Sequence, residues 1–248
     1  MRIPSVLALV LVLAAALAAP AHASPARYEV VSEEVTVEEV VVEEGGSSRF
    51  VQSPAASVPT GIARFGPFRV IDANRAALVD VTDGRSPAAF AAMMVAFPQI
   101  TELQMIECPG TLDDSANLRL GRMIRAKGVA THVPSGGSVR SGAVELFLAG
   151  SRRLADPGAE FAVHAWEDEN GHQPGDFAKD APVNLAYIAY YREMGMSPVE
   201  ARAFYDMTNA VPNRDARWLN ASQMGQWMRL ENDVAIAPRA LDSGRVLR

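Results

Sequence analysis

From about Gly61 onward, short β-rich runs alternate with capped amphipathic helices, and this alternation constrains the fold more than any other feature of the chain. Ala76–Val81 is a short β-rich run. Ser86-Pro87 then supplies an N-cap and a first-turn proline for an apolar helix reaching about Phe97. Ile100–Glu107 alternates apolar and polar residues, the pattern of a strand. Asp114 or Ser115 caps the next helix, which sets Ala116, Leu120, Met123 and Ile124 on one face and closes at Gly128. Val129–Val133 reads as a strand, Ser141–Ala149 as a helix ended by Gly150, and Phe161–Trp166 as a strand. Further on, Ser197-Pro198-Val199-Glu200 is a capping box that opens another helix. Such repetition predicts an α/β domain with a mainly parallel sheet and helical crossovers. No internal repeat is visible, and 248 residues suit one substantial core.

The segments before that domain differ in kind. Arg2 followed by the apolar run Val6–Ala19 and by Ala21-His22-Ala23 has the layout of an export leader cleaved after Ala23, so residues 1–23 are expected to be removed. The run is short for a spanning helix, which needs roughly 20 apolar residues. A periplasmic or secreted protein is therefore expected. Residues 24–58 are expected to form an acidic, valine- and glutamate-rich tether without a core of its own, leaving 59–248 as the folded domain. The alternative for the valines is a strand added to a partner's sheet edge.

Charge excludes one class of partner. Residues 1–44 hold seven Glu against two Arg, so the remainder of a chain with 23 basic and 29 acidic residues carries 21 and 22, close to neutral. No basic face is implied, and no nucleic-acid partner is expected. The single Cys108 cannot form an internal disulfide, and zinc-like spacings are absent. His164, Asp168 and His172 recur at four-residue intervals, but Asn170-Gly171 and Pro174 break any helix there; no metal and no cofactor are expected.

A hydrolytic serine needs a base, a group to orient that base, and donors for an oxyanion. Ser141 follows the glycine-rich turn of GGSVRSGAVELFLAG at the start of a predicted helix, where free N–H groups cluster. A serine there is by itself more often a cap. His164 lies in the strand FAVHAW, and Asp215 in VPNRDARWL, and spacing alone does not join the three.

The order of motifs does. A strand, ECPGTLDD, an amphipathic helix, a short strand, a Gly-rich turn, the segment SGA…FLAG and a strand ending in His resemble the ClpP/crotonase superfamily, ClpP-type peptidases above all. The resemblance covers about Ala76 to Met228. It implies a ClpP/crotonase-like α/β fold of repeated ββα units and a serine hydrolase of the peptidase type. Ser141 is implied as nucleophile, His164 as base and then acid, and Asp215 as the group holding the imidazole. The oxyanion donors implied are the N–H groups of Gly142 and Thr111, with Gly110 letting the loop approach. Two positions depart from the pattern: Thr111 replaces the loop's second glycine, and Gly142 replaces a larger residue after the serine. Arg140 is expected to pair with a nearby carboxylate.

The expected substrate is a peptide or unfolded protein segment. Export separates the chain from cytoplasmic ATP-driven unfoldases, so no ATPase partner is expected, and CoA thioester chemistry is disfavoured on the same ground. The alternative is a non-catalytic binding or assembly module of the cell envelope. A homo-oligomer is expected, with Tyr187, Tyr191 or Phe204 near the contact, because helical segments rich in Tyr, Phe and Met carry more apolar surface than one small domain readily covers.

Overall fold

The structure, a computed structural model, describes residues 56–231. The expected leader and nearly all of the acidic tether lie outside the described residues. Strands β1 (Ala63–Phe65), β2 (Phe68–Val70) and β3 (Arg75–Leu78) form an antiparallel meander and lead into helix α1 (Ser86–Ala96). There follow β4 (Glu102–Met105), β5 (Glu107–Cys108) and α2 (Asp114–Ala126), then β6 (Ala130–Val133), β7 (Ser138–Arg140) and α3 (Ala143–Leu148). After β8 (Arg153–Ala155) and β9 (Glu160–Val163) come α4 (Pro182–Glu193), α5 (Pro198–Thr208), β10 (Arg217–Asn220) and the short α6 (Ala221–Met224).

Paired strands separate into two sheets. The first strand of each pair, β4, β6 and β8, extends β3 in parallel, giving the order β1-β2-β3-β4-β6-β8. The second strand of each, β5, β7 and β9, forms another parallel set, closed by an antiparallel β10 in the order β10-β9-β7-β5. The chain is thus an α/β fold with mostly parallel sheets and flanking helices. Ile100–Glu107, expected as one strand, is two strands in different sheets. The switch falls at Ile106, whose N–H donates to Leu78 O of β3 (3.1 Å) while its carbonyl accepts from Ser138 N of β7 (2.8 Å).

Local chemistry explains the helix ends. Asp113 caps α2 by accepting from Ala116 N (2.8 Å), one residue earlier than expected. The capping box of α5 forms as read, with Glu200 N donating to Ser197 Oγ and Ser197 N to Glu200 Oε2. Helix α3 is buried at all six of its positions, consistent with the nearly continuous apolar segment AVELFL.

The aromatic residues of α4 and α5 line this interior. Tyr190 packs so closely on α2 that a Cβ on Gly121 would sit 1.9 Å from its hydroxyl oxygen, and that hydroxyl donates to Glu145 O (2.7 Å). Tyr187, Tyr191 and Phe204 are buried in the same core, at 8%, 1% and 0% exposure. This corrects the expectation that they mark a subunit contact: their apolar surface is already covered within the chain.

Candidate active site

Strand register gathers the candidate residues at one edge. In the sheet of β5, β7 and β9, Cys108 pairs with Val139 and Arg140 with Ala162. Continuing each parallel strand at its carboxyl end brings the Pro109–Thr111 loop, Ser141 and His164 side by side. In open parallel sheets, ligand sites form at that edge. Because β10 runs antiparallel, with Arg217 opposite Val163, the residues just before it reach the same edge.

Ser141 is a turn residue here, and not the first residue of the helix as expected. Its φ is 52°, the only positive φ of a non-glycine residue among those described. A left-handed backbone costs an ordinary L-residue roughly 1–2 kcal/mol, so the surroundings must hold it. They do so from both sides: Ser141 N donates to Ala162 O (2.9 Å), and Ser141 O accepts from Val144 N (2.9 Å). The resulting strand–turn–helix places Ser141 between β7 and α3.

The loop opposite is shaped to it. Gly110 has φ 132°, and a Cβ there would lie 2.9 Å from Ser141 Cβ and 3.3 Å from its Oγ. Only glycine lets the loop pass this close. Thr111 has no positive φ, so the departure from glycine carries no backbone strain. The other departure complements it. A Cβ on Gly142 would meet Thr111 Cγ2 at 2.5 Å. The methyl group on one side occupies the space vacated on the other.

Two buried polar residues lock this arrangement. Asn117 Nδ2 donates to Gly142 O (2.6 Å), and its Oδ1 is 3.1 Å from Thr82 Oγ1. Thr82 N in turn donates to Gly110 O (3.0 Å). Thr82 and Asn117 are 1% and 2% exposed, and sequence reasoning named neither. The readable signal was a polar residue on the apolar stripe of α2, beside Leu120 and Ile124.

His164 follows the last residue of β9. Its Nδ1 is 2.8 Å from Ala165 O. A carbonyl oxygen only accepts, so this bond needs the proton on Nδ1 and leaves the lone pair on Nε2, which is buried from solvent. That is the tautomer a base requires. Ser141, Gly142, Thr111 and His164 line one cavity of about 240 Å³. Glu145 lines it too, and burial raises its carboxyl to about 7, while a hydrogen bond from Tyr191 (2.7 Å) works in the opposite direction.

Asp215 is not among the residues lining the cavity. Its side chain is 51% exposed, and its carboxylate lies 3.6 Å from Arg214 Nε. The side chain that meets His164 Nδ1 is Asn213, with Nδ2 at 3.3 Å. Arg140 pairs with Glu107 and donates to Ser138 Oγ (2.8 Å), so its charge is used within the sheet. Cys108 is fully buried, with Sγ 3.3 Å from Leu78 O, and burial pushes its thiol far above the usual range, which makes it inert. His172 pairs with Asp168 (3.1 Å).

No family model matches the chain, and no curated protein matches it. Among solved structures it is similar to a ClpP1 mutant from Listeria monocytogenes, with TM-score 0.47 and 12% identity over 65% of this chain and 91% of that one. It is also similar to a mutant of the 1510-N membrane-bound stomatin-specific protease in complex with a substrate peptide, with TM-score 0.43 and 13% identity over 61% and 73%. A second mutant of that protease gives TM-score 0.44 and 13% identity over 63% and 76%.

Proposed function

We propose that the chain is a ClpP-like serine hydrolase acting on peptides or unfolded segments outside the cytoplasm. One observation carries the reading: Ser141 is held at φ 52° beside a cavity it shares with His164, whose Nδ1–H is bound to a carbonyl. A scaffold gains nothing from a strained serine that shares a cavity with a histidine so arranged.

In this reading Ser141 Oγ attacks the substrate carbonyl and its proton passes to His164 Nε2. The negative charge that develops on the carbonyl oxygen is met by the N–H groups of Gly142 and Thr111, whose positions are fixed through Asn117 and Thr82. Collapse breaks the C–N bond, and His164 returns its proton to the leaving amine. Water, deprotonated by the same nitrogen, then cleaves the Ser141 ester and releases the acid. Asp215 is the orienting group implied by the resemblance.

The test is release of amine from an unstructured fluorogenic peptide. The purified chain should turn the peptide over, and His164→Ala should lower kcat/KM by about 10³-fold or more. Absence of turnover in the unaltered chain, with peptide still bound, would contradict hydrolysis and favour a binding module.

A further inference from the structure

We infer that Asn213, rather than Asp215, is the residue that orients the imidazole of His164. The inference rests on the hydrolase reading for its purpose, but its geometry stands apart from turnover. Ala165 N donates to Val211 O (2.7 Å), so the segment leading to β10 runs alongside the end of β9. Asn213 N is anchored in turn to Gln173 Oε1 (3.2 Å). This backbone course delivers the Asn213 amide to the imidazole. Its Nδ2 donates to Ala165 O (3.0 Å), the carbonyl that also takes the proton on His164 Nδ1 (2.8 Å), and the two nitrogens are 3.3 Å apart. One carbonyl oxygen has two lone pairs and serves both donors. The Asn213 amide therefore fixes the acceptor that fixes the tautomer. Two residues on, Asp215 N donates to Pro212 O (3.0 Å), which turns the chain, and the Asp215 carboxylate faces Arg214 near solvent.

The two residues differ in charge, and that separates their roles. An amide positions the ring without stabilising the imidazolium; a carboxylate does both and raises the imidazole pKa. The carboxylates that do line the cavity, Asp114, Glu145 and Glu167, stay in place in every variant compared, as does Arg214.

The experiment is an NMR titration of His164, assigned by its loss in His164→Gln, in the unaltered chain, Asn213→Asp and Asp215→Asn. A carboxylate at position 213 should raise the His164 pKa by about one unit or more, since an opposite charge at this distance shifts a group by roughly 1–3 units. Asp215→Asn should leave it nearly unmoved. Peptide hydrolysis adds a second readout: Asn213→Ala should lower kcat about tenfold or more with little change in KM, and Asn213→Asp should recover most of the loss with its acidic limb displaced upward. An unchanged titration in Asn213→Asp, or a fall of a unit or more in Asp215→Asn, would overturn the assignment and return the role to Asp215. Because the titration needs no turnover, failure of the hydrolase reading would register separately, as absent hydrolysis in the unaltered chain.

Discussion

Ser141→Ala should abolish peptide hydrolysis, with kcat/KM falling by about 10³-fold or more, and Ser141→Gly should do the same while leaving a more stable protein. The activity loss follows from removing the hydroxyl proposed as nucleophile. The stability difference follows from the backbone. At φ 52° alanine keeps the steric penalty that serine bears, whereas glycine does not. Glycine's greater freedom in the unfolded chain offsets part of the gain. The glycine variant should therefore exceed the alanine variant by about 1 kcal/mol, which corresponds to roughly 2–4 °C in Tm for a chain of this size. Thermal unfolding of both variants checks it. Equal midpoints would mean that the serine turn stores no strain.

Glu145→Gln should change how stability depends on pH. Glu145 is 8% exposed, and burial raises its carboxyl pKa from 4.5 to about 7, the neighbouring Asp114 adding to the rise. Between those values the folded state keeps a proton that the unfolded state has released. Stability contributed by this group therefore falls as pH rises from about 4.5 to about 7, and the deficit is complete above that window. A shift of this size corresponds to about 3 kcal/mol, at roughly 1.4 kcal/mol per unit. Glutamine has no proton to lose, and its carbonyl can still accept from Tyr191. Urea unfolding at pH 5 should give nearly equal stabilities for the two proteins, and at pH 8 the glutamine variant should be the more stable by up to about 3 kcal/mol. A difference independent of pH would show that Glu145 does not titrate in this window.

How much of this was readable in the chain depends on the range of the interactions. Helix α5 was legible because its start signal is local: Ser197 and Glu200 bond each other across one turn. The start of α2 was legible to within a residue for the same reason. The parting of β4 from β5 was not, since the alternation of Ile100–Glu107 runs straight through the residue that changes sheets. The order of motifs singles out Ser141, yet its left-handed turn carries no local mark, because serine is not a residue that favours it. Thr111 and Gly142 looked like two separate departures. Their contact joins loops distant in sequence, and only in space is the methyl of one seen to fill the gap at the other. The resemblance points to Asp215 in VPNRDARWL, whereas the approach of Asn213 to His164 is decided by backbone pairing between Ala165 and Val211, which no motif spells out. Tyr187, Tyr191 and Phe204 show the same limit, since spacing gives a helical face but not what covers it.

The central claim is that Ser141 is an activated nucleophile, and covalent capture tests it most directly. Incubation of the chain with a fluorophosphonate, followed by digestion and mass spectrometry, should yield one adduct, on Ser141. Labelling should vanish in Ser141→Ala and slow sharply in His164→Ala, because the attacking oxygen loses its base. An unlabelled chain, or an adduct that persists in Ser141→Ala, would contradict the claim.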